Sequence, residues 1–148
     1  MMHMGEVLNG QRNGQNSRTT QYLLRRGLDV SLIRHQVIAD NIANVDVPNF
    51  KRTEVSFESA MRDALEKNKQ HEMPAALTDT KHIAFNRPVD ITSVAPRLHY
   101  DWTTSQRQDG NNVDVEREMA DATKNVLQYR AMADMISHNF KMMQIVMR

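Results

Sequence analysis

The chain has 148 residues, 19 Lys and Arg against 18 Asp and Glu, 11 Met and no Cys. That length bounds one domain or at most two, near-neutral charge without a cationic run argues against a nucleic-acid binder, and the missing thiols exclude disulfides, zinc-thiolate sites and Cys nucleophiles. No apolar run approaches the roughly 18 to 20 residues that span a bilayer, and residues 1–18 lack the apolar core of a signal peptide, so membrane insertion and Sec export are both disfavoured.

Residues 1–19 hold three of the five glycines and are rich in Asn and Gln, a composition that buries too little apolar area to offset ordering entropy. A disordered arm is expected there. From about 21 to 44, Leu24, Leu28, Ser31, His35, Ile38 and Ile42 recur at alternating steps of four and three, the heptad seam of a helix. Asn44 and then Pro48, which biases Val47 away from helical angles, supply its stop. The middle, about 45–112, carries Pro74, Pro88 and Pro96 and no sustained period. Phe57, Met61 and Leu65 suit a short helix over about 56–67, and His82–Phe85, Val89–Ile91 and Leu98–Thr103 suit short extended pieces.

Asp109-Gly110-Asn111-Asn112 is turn chemistry and Asp114 an N-cap, which predicts a helix over about 114–147. Val115, Met119, Ala122, Val126, Tyr129, Ala133, Ile136, Phe140, Met143 and Met147 keep the four-three spacing throughout. Such a helix is about 50 Å long, against about 35 Å for the first. The expected fold class is mainly α, with long N- and C-terminal heptad helices pairing as an antiparallel coiled coil around an irregular middle segment. Residues 20–148 then form one domain. Further apolar residues lie off the seams, at Leu23, Val30 and Val37 and at Met132, Met135, Met142, Ile145 and Val146. A helix end that is apolar almost all round is covered in its working state, which favours self-association over an ordinary small bundle core.

Two motifs resemble a known family. Asn41-Ile42-Ala43-Asn44-Val45-Asp46-Val47-Pro48-Asn49-Phe50-Lys51 is similar to the Asn-Ile-Ala-Asn-x-x-Thr-Pro-Gly-Tyr/Phe-Lys signature of bacterial flagellar rod and hook proteins, with Asn41, Ile42, Ala43, Asn44, Pro48 and Phe50 matching and Val47 and Asn49 departing. Asp109 to Met119 resembles the segment that opens the C-terminal helix of the short proximal-rod members. Val55-Ser56-Phe57-Glu58, Leu77-Thr78, Lys81-His82-Ile83 and the closing turn at Phe140-Lys141-Met142-Met143 extend the likeness from about Tyr22 to the last residue. The resemblance implies a structural subunit of the basal-body rod that transmits torque and leaves the cell through the flagellar type III apparatus without a cleaved signal peptide, to stand in the periplasm. Its partners would be itself, other rod proteins, a membrane-ring or adaptor protein at the rod base and the export apparatus. Its assembly seam would comprise Leu24, Leu28, Ile38, Ile42, Val115, Met119, Val126, Tyr129, Ile136, Phe140, Met143 and Met147.

No catalytic, metal or cofactor site is expected, and no small-molecule substrate or nucleic acid. His35 invites comparison with a phosphotransfer bundle, yet the Lys and Gly that accompany such a histidine are absent after it, and a partly buried seam histidine is preferred. His82 and His99 with Asp79 or Asp101 fit no ligand spacing. Asp109-Gly110-Asn111 lacks the glycine position and the closing Glu of a calcium loop. Lys51-Arg52 and Arg25-Arg26 are read as surface pairs or partners of an acidic neighbour. The alternatives to a rod subunit are a cytosolic coiled-coil adaptor or export chaperone.

Overall fold

A computed structural model describes residues 4–70, 89–105 and 107–147, with side-chain surroundings for 18–68, 89–105 and 107–147. The extended piece expected at His82–Phe85 lies outside the described residues. Helix α1 spans Met4–Ala43, strand β1 Thr53–Ser56, helix α2 Glu58–Gln70, strand β2 Arg97–Tyr100 and helix α3 Val115–Val146. A 3-10 turn at Ile91–Ser93 precedes β2.

The two long helices form where the heptad spacing places them, with one difference. Helix α1 starts at Met4 rather than at about residue 21, so its backbone continues through the segment expected to be a disordered arm. No proline interrupts residues 4–20, and the Gln, Arg, Glu, Met and Leu there extend a helix already nucleated by its packed part. Helix α3 opens as predicted: the Asp114 side chain accepts from the backbone N–H of Glu116 and Arg117, and Glu116 and Glu118 fall in the first turn, where the helix dipole favours negative charge.

The middle segment is more ordered than its composition suggests. Strand β1, not anticipated, pairs antiparallel with β2 in the register Thr53↔Tyr100, Glu54↔His99, Val55↔Leu98 and Ser56↔Arg97. Val89–Ile91 is not a strand. Asp90 instead caps the 3-10 turn by accepting from Thr92 N–H at 2.8 Å, and the Asn68 side chain holds both main-chain groups of Val89 at 2.8 Å.

Helix α1 lies between the other elements. One of its faces meets the middle segment, where Val30, Phe57 and Met61 are buried and Tyr22, Leu23, Val55, Leu65, Ile91 and Val94 pack around them. Val30 and Val37, which lie off the heptad line, are therefore among the most buried apolar residues. Arg34 fastens the same side to α2 through Glu58 at 2.6 Å. The other face meets α3 running antiparallel, with Asn41 beside Glu118, Ser31 beside Asn125 and Gly27 beside Met132. A Cβ on Gly27 would sit 2.6 Å from the Met132 sulfur. The absent side chain lets the helices approach there.

The core among the described residues is small, centred on Val30, Phe57 and Met61, so each member carries much of the stability. Phe57→Ala is expected to lower unfolding free energy by about 3–4 kcal/mol, whereas Leu32→Ala, at an exposed position, stays within about 0.5 kcal/mol. Urea denaturation followed by circular dichroism measures both.

Candidate functional site: a clasp between two chain segments

The two motifs singled out in the sequence meet in space. Asn41, in the last turn of α1, is 1 % exposed. Its side-chain oxygen accepts from Thr53 N–H at 3.0 Å and its amide donates to Thr53 C=O at 2.9 Å, so one side chain satisfies both main-chain groups on the outer edge of β1. The same amide donates to Glu118 of α3 at 3.1 Å. A shorter or purely apolar residue would leave those buried groups unpaired.

Glu118 is fully buried. Its other carboxylate oxygen accepts from Arg52 Nε, and the Arg52 guanidinium also reaches Glu54 and, at 3.1 Å, Asp121. A buried charge is tolerable only when paired and hydrogen-bonded, and the planar fork of arginine serves three carboxylates at once. Arg117 closes the outer side of the network on Glu54 at 3.3 Å. A cleft of about 350 Å³ opens beside it, lined by Arg34, Val37, Glu58, Lys124 and Asn125 among others.

The loops are held by asparagine side chains acting as main-chain substitutes. Asn111 donates to the carbonyls of Asn44, Val45 and Val47 at 2.9–3.1 Å, which caps the C-terminus of α1, and accepts from Val113 N–H at 2.7 Å. Asn112 accepts from Arg52 N–H at 2.7 Å and donates to the Asp101 carbonyl at 2.9 Å. Lys51 Nζ donates to the Gly110 carbonyl at 2.7 Å. Asn49 adopts φ 60° and Gly110 φ 79°, and a Cβ on Gly110 would lie 2.6 Å from Asn49 Oδ1. Gly110 is thus fixed by conformation and by space. Asn49 tolerates the left-handed region in which the family signature has Gly. Val47 is exposed and contributes through its main chain, donating to Asn44 and accepting from Phe50 N–H and Asn111.

Two carboxylates at the periphery are held ionised. Both Asp101 oxygens accept hydrogen bonds, from the Thr104 and Thr103 hydroxyls and the Thr103 N–H, which bring its carboxyl down to about 2. Burial works against charge on Glu58, but the hydrogen bond and the positive charge of Arg34 outweigh it and its pKa is lowered.

The expected seam residues divide. Ile38 is buried, and Leu24, Leu28, Ile42, Val115 and Ile136 are half-buried; Met119, Val126, Tyr129, Phe140, Met143 and Met147 are exposed. Met119 is 61 % and Phe140 48 % exposed. The line of α3 that meets α1 runs instead through Glu118, Asn125 and Met132, one position back from Met119, Val126 and Ala133 and so about 100° round the helix. Of the motif residues, Asn41 is buried, Ile42, Asn44 and Phe50 are half-buried, and Ala43 and Pro48 are exposed. His35 is exposed too, where the heptad line predicts a partly buried seam histidine. Its position beside the buried Ser31 and Ile38 line turns it outward, and the residues after it remain Gln36-Val37-Ile38-Ala39-Asp40. His99 is exposed on β2. No group of three metal-ligating side chains occurs among the described residues.

Arg52, Glu118, Asn111, Asn112 and Asn125 carry the clasp, and none of them stands out as a site residue in the sequence. The signals are indirect: Asn111, Asn112 and Glu118 lie within the Asp109–Met119 motif, and Lys51-Arg52 is a pair that could meet an acidic neighbour. Arg52 does so in the interior.

This fold and clasp define a helical-hairpin subunit whose two long helices are held in register by specific polar contacts and whose last helix keeps an open apolar side. Residues 22–51, which contain α1's packed half and the first motif, match the family model described as flagella basal body rod protein. The chain is 34 % identical to the flagellar basal body rod protein FlgB of Borreliella burgdorferi, over 83 % of this chain and 91 % of that one. It is 31 % identical to the protein of the same name from Bacillus subtilis and 29 % identical to that of Escherichia coli, in each case over 84 % of this chain and 89 % of the relative. The chain belongs to the FlgB family of flagellar basal body rod proteins.

Removing one partner of the buried pair leaves the other charge unpaired. Arg52→Met is expected to cost about 3–5 kcal/mol, and Arg52→Met with Glu118→Leu to recover much of it, both read by urea unfolding. For Asp101 the folded-state pKa is depressed, so its contribution is present above its ordinary 3.8 and lost as pH falls towards about 2. The stability gap between the wild-type chain and Asp101→Ala is therefore expected to be full at about pH 5 and to close on acidification through that window.

Proposed function

We propose that this chain is a structural subunit of the proximal rod of the bacterial flagellum, which assembles through the apolar side of α3 that its own fold leaves uncovered. One observation carries the reading: Met119, Val126, Tyr129, Phe140, Met143 and Met147 recur at heptad spacing along one helix and stay exposed. Contiguous apolar surface of that kind marks an interaction face, and heptad spacing suits a helix as the partner. Repetition of such a contact between unlike faces of successive subunits builds an open helical assembly, whereas like faces would close at two.

The clasp has a distinct role in this scheme. Hydrogen bonds and charge pairs fix the register between α1 and α3 within a subunit, which leaves the apolar residues free for contacts between subunits. Residues 20–148 act as one rod-subunit domain, and the helical stretch before residue 20 adds length to the assembled layer. Torque passes through interlocked helices that resist sliding, with no moving catalytic site. Export runs through the flagellar type III apparatus without a cleaved signal peptide, to a periplasmic rod. The partners are other copies, neighbouring rod proteins and a membrane-ring or adaptor protein at the rod base.

Phe140→Asp and Met143→Asp test this at positions exposed in the single subunit. Each is expected to leave the helix content of the purified chain unchanged and to abolish basal-body assembly and swimming in complemented cells. Ile136→Asp is expected to weaken the subunit as well, because Ile136 is half-buried. Normal basal bodies in cells carrying Phe140→Asp and Met143→Asp together would overturn the proposal, and recovery of the wild-type chain in the cytosol alone would favour an adaptor or chaperone.

A further inference from the structure

We infer that β2 is a self-recognition strand: its open edge pairs antiparallel with β2 of a second copy about a two-fold axis through His99. This contact is separate from the α3 stripe and goes beyond the rod reading.

Among the described residues, strand β2 is paired on one side only, and all four of its residues are exposed. Asp101 N–H donates to the Arg52 carbonyl at 3.0 Å, so the main-chain groups of Asp101, His99 and Arg97 face β1. Alternation then turns those of Leu98 and Tyr100 to the open edge. On the far side of the sheet the equivalent groups of Thr53 are already taken by Asn41. Among the described residues the edge of β2 is therefore the free one, with no backbone or side-chain bond from another element covering Leu98 or Tyr100 there.

Its side chains add an apolar face that the fold does not use. Leu98, Tyr100 and Trp102 alternate along it, Trp102 is 72 % exposed, and the Tyr100 and Trp102 rings lie 6.3 Å apart. An exposed strand edge of this composition invites pairing, and the sequence Pro96-Arg97-Leu98-His99-Tyr100-Asp101-Trp102 is complementary to its own reverse. With His99 opposite His99, Leu98 meets Tyr100 of the second copy on one face, Pro96 meets Trp102 at each end, and Arg97 meets Asp101 on the opposite face. Opposite charges and aromatic-aliphatic pairs directly across a ladder are the favourable ones. Asp101 is available for this as an anion, since its threonine hydrogen bonds keep it ionised. Sliding the register by two residues leaves Asp101 opposite Ala95, or Arg97 opposite Thr103. Only the register centred on His99 satisfies both charges. A two-fold contact closes at two copies and cannot propagate along a polar filament, so this pairing belongs to the unassembled chain.

The chain contains no Cys, which makes the test direct. In the proposed register the two copies of residue 99 form a non-hydrogen-bonded pair with Cα atoms about 4.5 Å apart, within the roughly 4.4–6.8 Å that a disulfide accepts. Full-length His99→Cys is compared with Ser59→Cys, an exposed control on α2, under mild oxidation and non-reducing electrophoresis. The strand variant is expected to form a covalent dimer at least about tenfold faster, because pairing raises the effective thiol concentration. That advantage is expected to persist with Phe140→Asp added, which removes contacts through α3, and to vanish with Leu98→Lys added. Emission of the single tryptophan, Trp102, is expected to shift to the blue as the wild-type chain is concentrated. Equal rates for His99→Cys and Ser59→Cys would overturn the inference, as would loss of the advantage with Phe140→Asp while it survives Leu98→Lys.

Discussion

Glu118 is a carboxylate with no access to solvent, and its burial constrains everything around it. It requires a cation, supplied by Arg52 at the end of the loop after α1, and a neutral donor, supplied by Asn41 on α1 itself. Those two partners come from the first motif and the residue that follows it, and Glu118 from the second. Helices α1 and α3 therefore meet in a single register, and β1 is drawn against α1 because Asn41 also carries Thr53. A hydrophobic contact between the helices would be more tolerant of sliding, since apolar side chains repack at modest cost. A buried charge parted from its partner has no such latitude.

With the interior specified by polar groups, the apolar residues are released for another use. Ser31, Asn125, Gly27 and Glu118 occupy positions on the helix pair where a self-sufficient coiled coil would carry Leu or Ile. The heptad residues Met119, Val126, Phe140 and Met147 of α3 stand about a quarter-turn aside and are exposed. This division suits a subunit of a larger assembly: directional contacts are fixed within the chain, and a broad apolar stripe is left for the contacts we propose between chains. It also explains how so small a core, centred on Val30, Phe57 and Met61, is compatible with helices as long as α1 and α3. Among the described residues, Leu32 and Ile33 of α1 and Met119, Leu127, Met135, Phe140 and Ile145 of α3 stay exposed in the single chain.

The helices are legible in the sequence because each element has a signal of its own. The four-three spacing marks both long helices, Pro48 ends the first within a few residues, and Asp114 opens the last with the capping bonds its type predicts. The motif positions Asn41, Asn44 and Asn49 likewise fall at a clasp, a helix end and a left-handed turn. The orientation of the helices about their own axes is not legible. Heptad spacing reports which residues want an apolar neighbour but not whether that neighbour is in the same chain, and here Val30 and Val37 face the fold while Met119 and Val126 do not. The Arg52–Glu118 pair is hidden for another reason: its partners are 66 residues apart, and each has an ordinary local reading, as a surface cation and as a first-turn acid. Strand β1 is four residues long, too short for alternation to declare it.

The measurement that bears most directly on this account is a side-chain-resolution electron cryomicroscopy map of the rod in isolated basal bodies. The account predicts that Arg52, Glu118 and Asn41 meet within one subunit, with Met119, Val126 and Phe140 buried against a neighbour. A map in which Met119, Val126 and Phe140 pack against α1 of their own chain, with Glu118 turned to solvent or to another subunit, would contradict it.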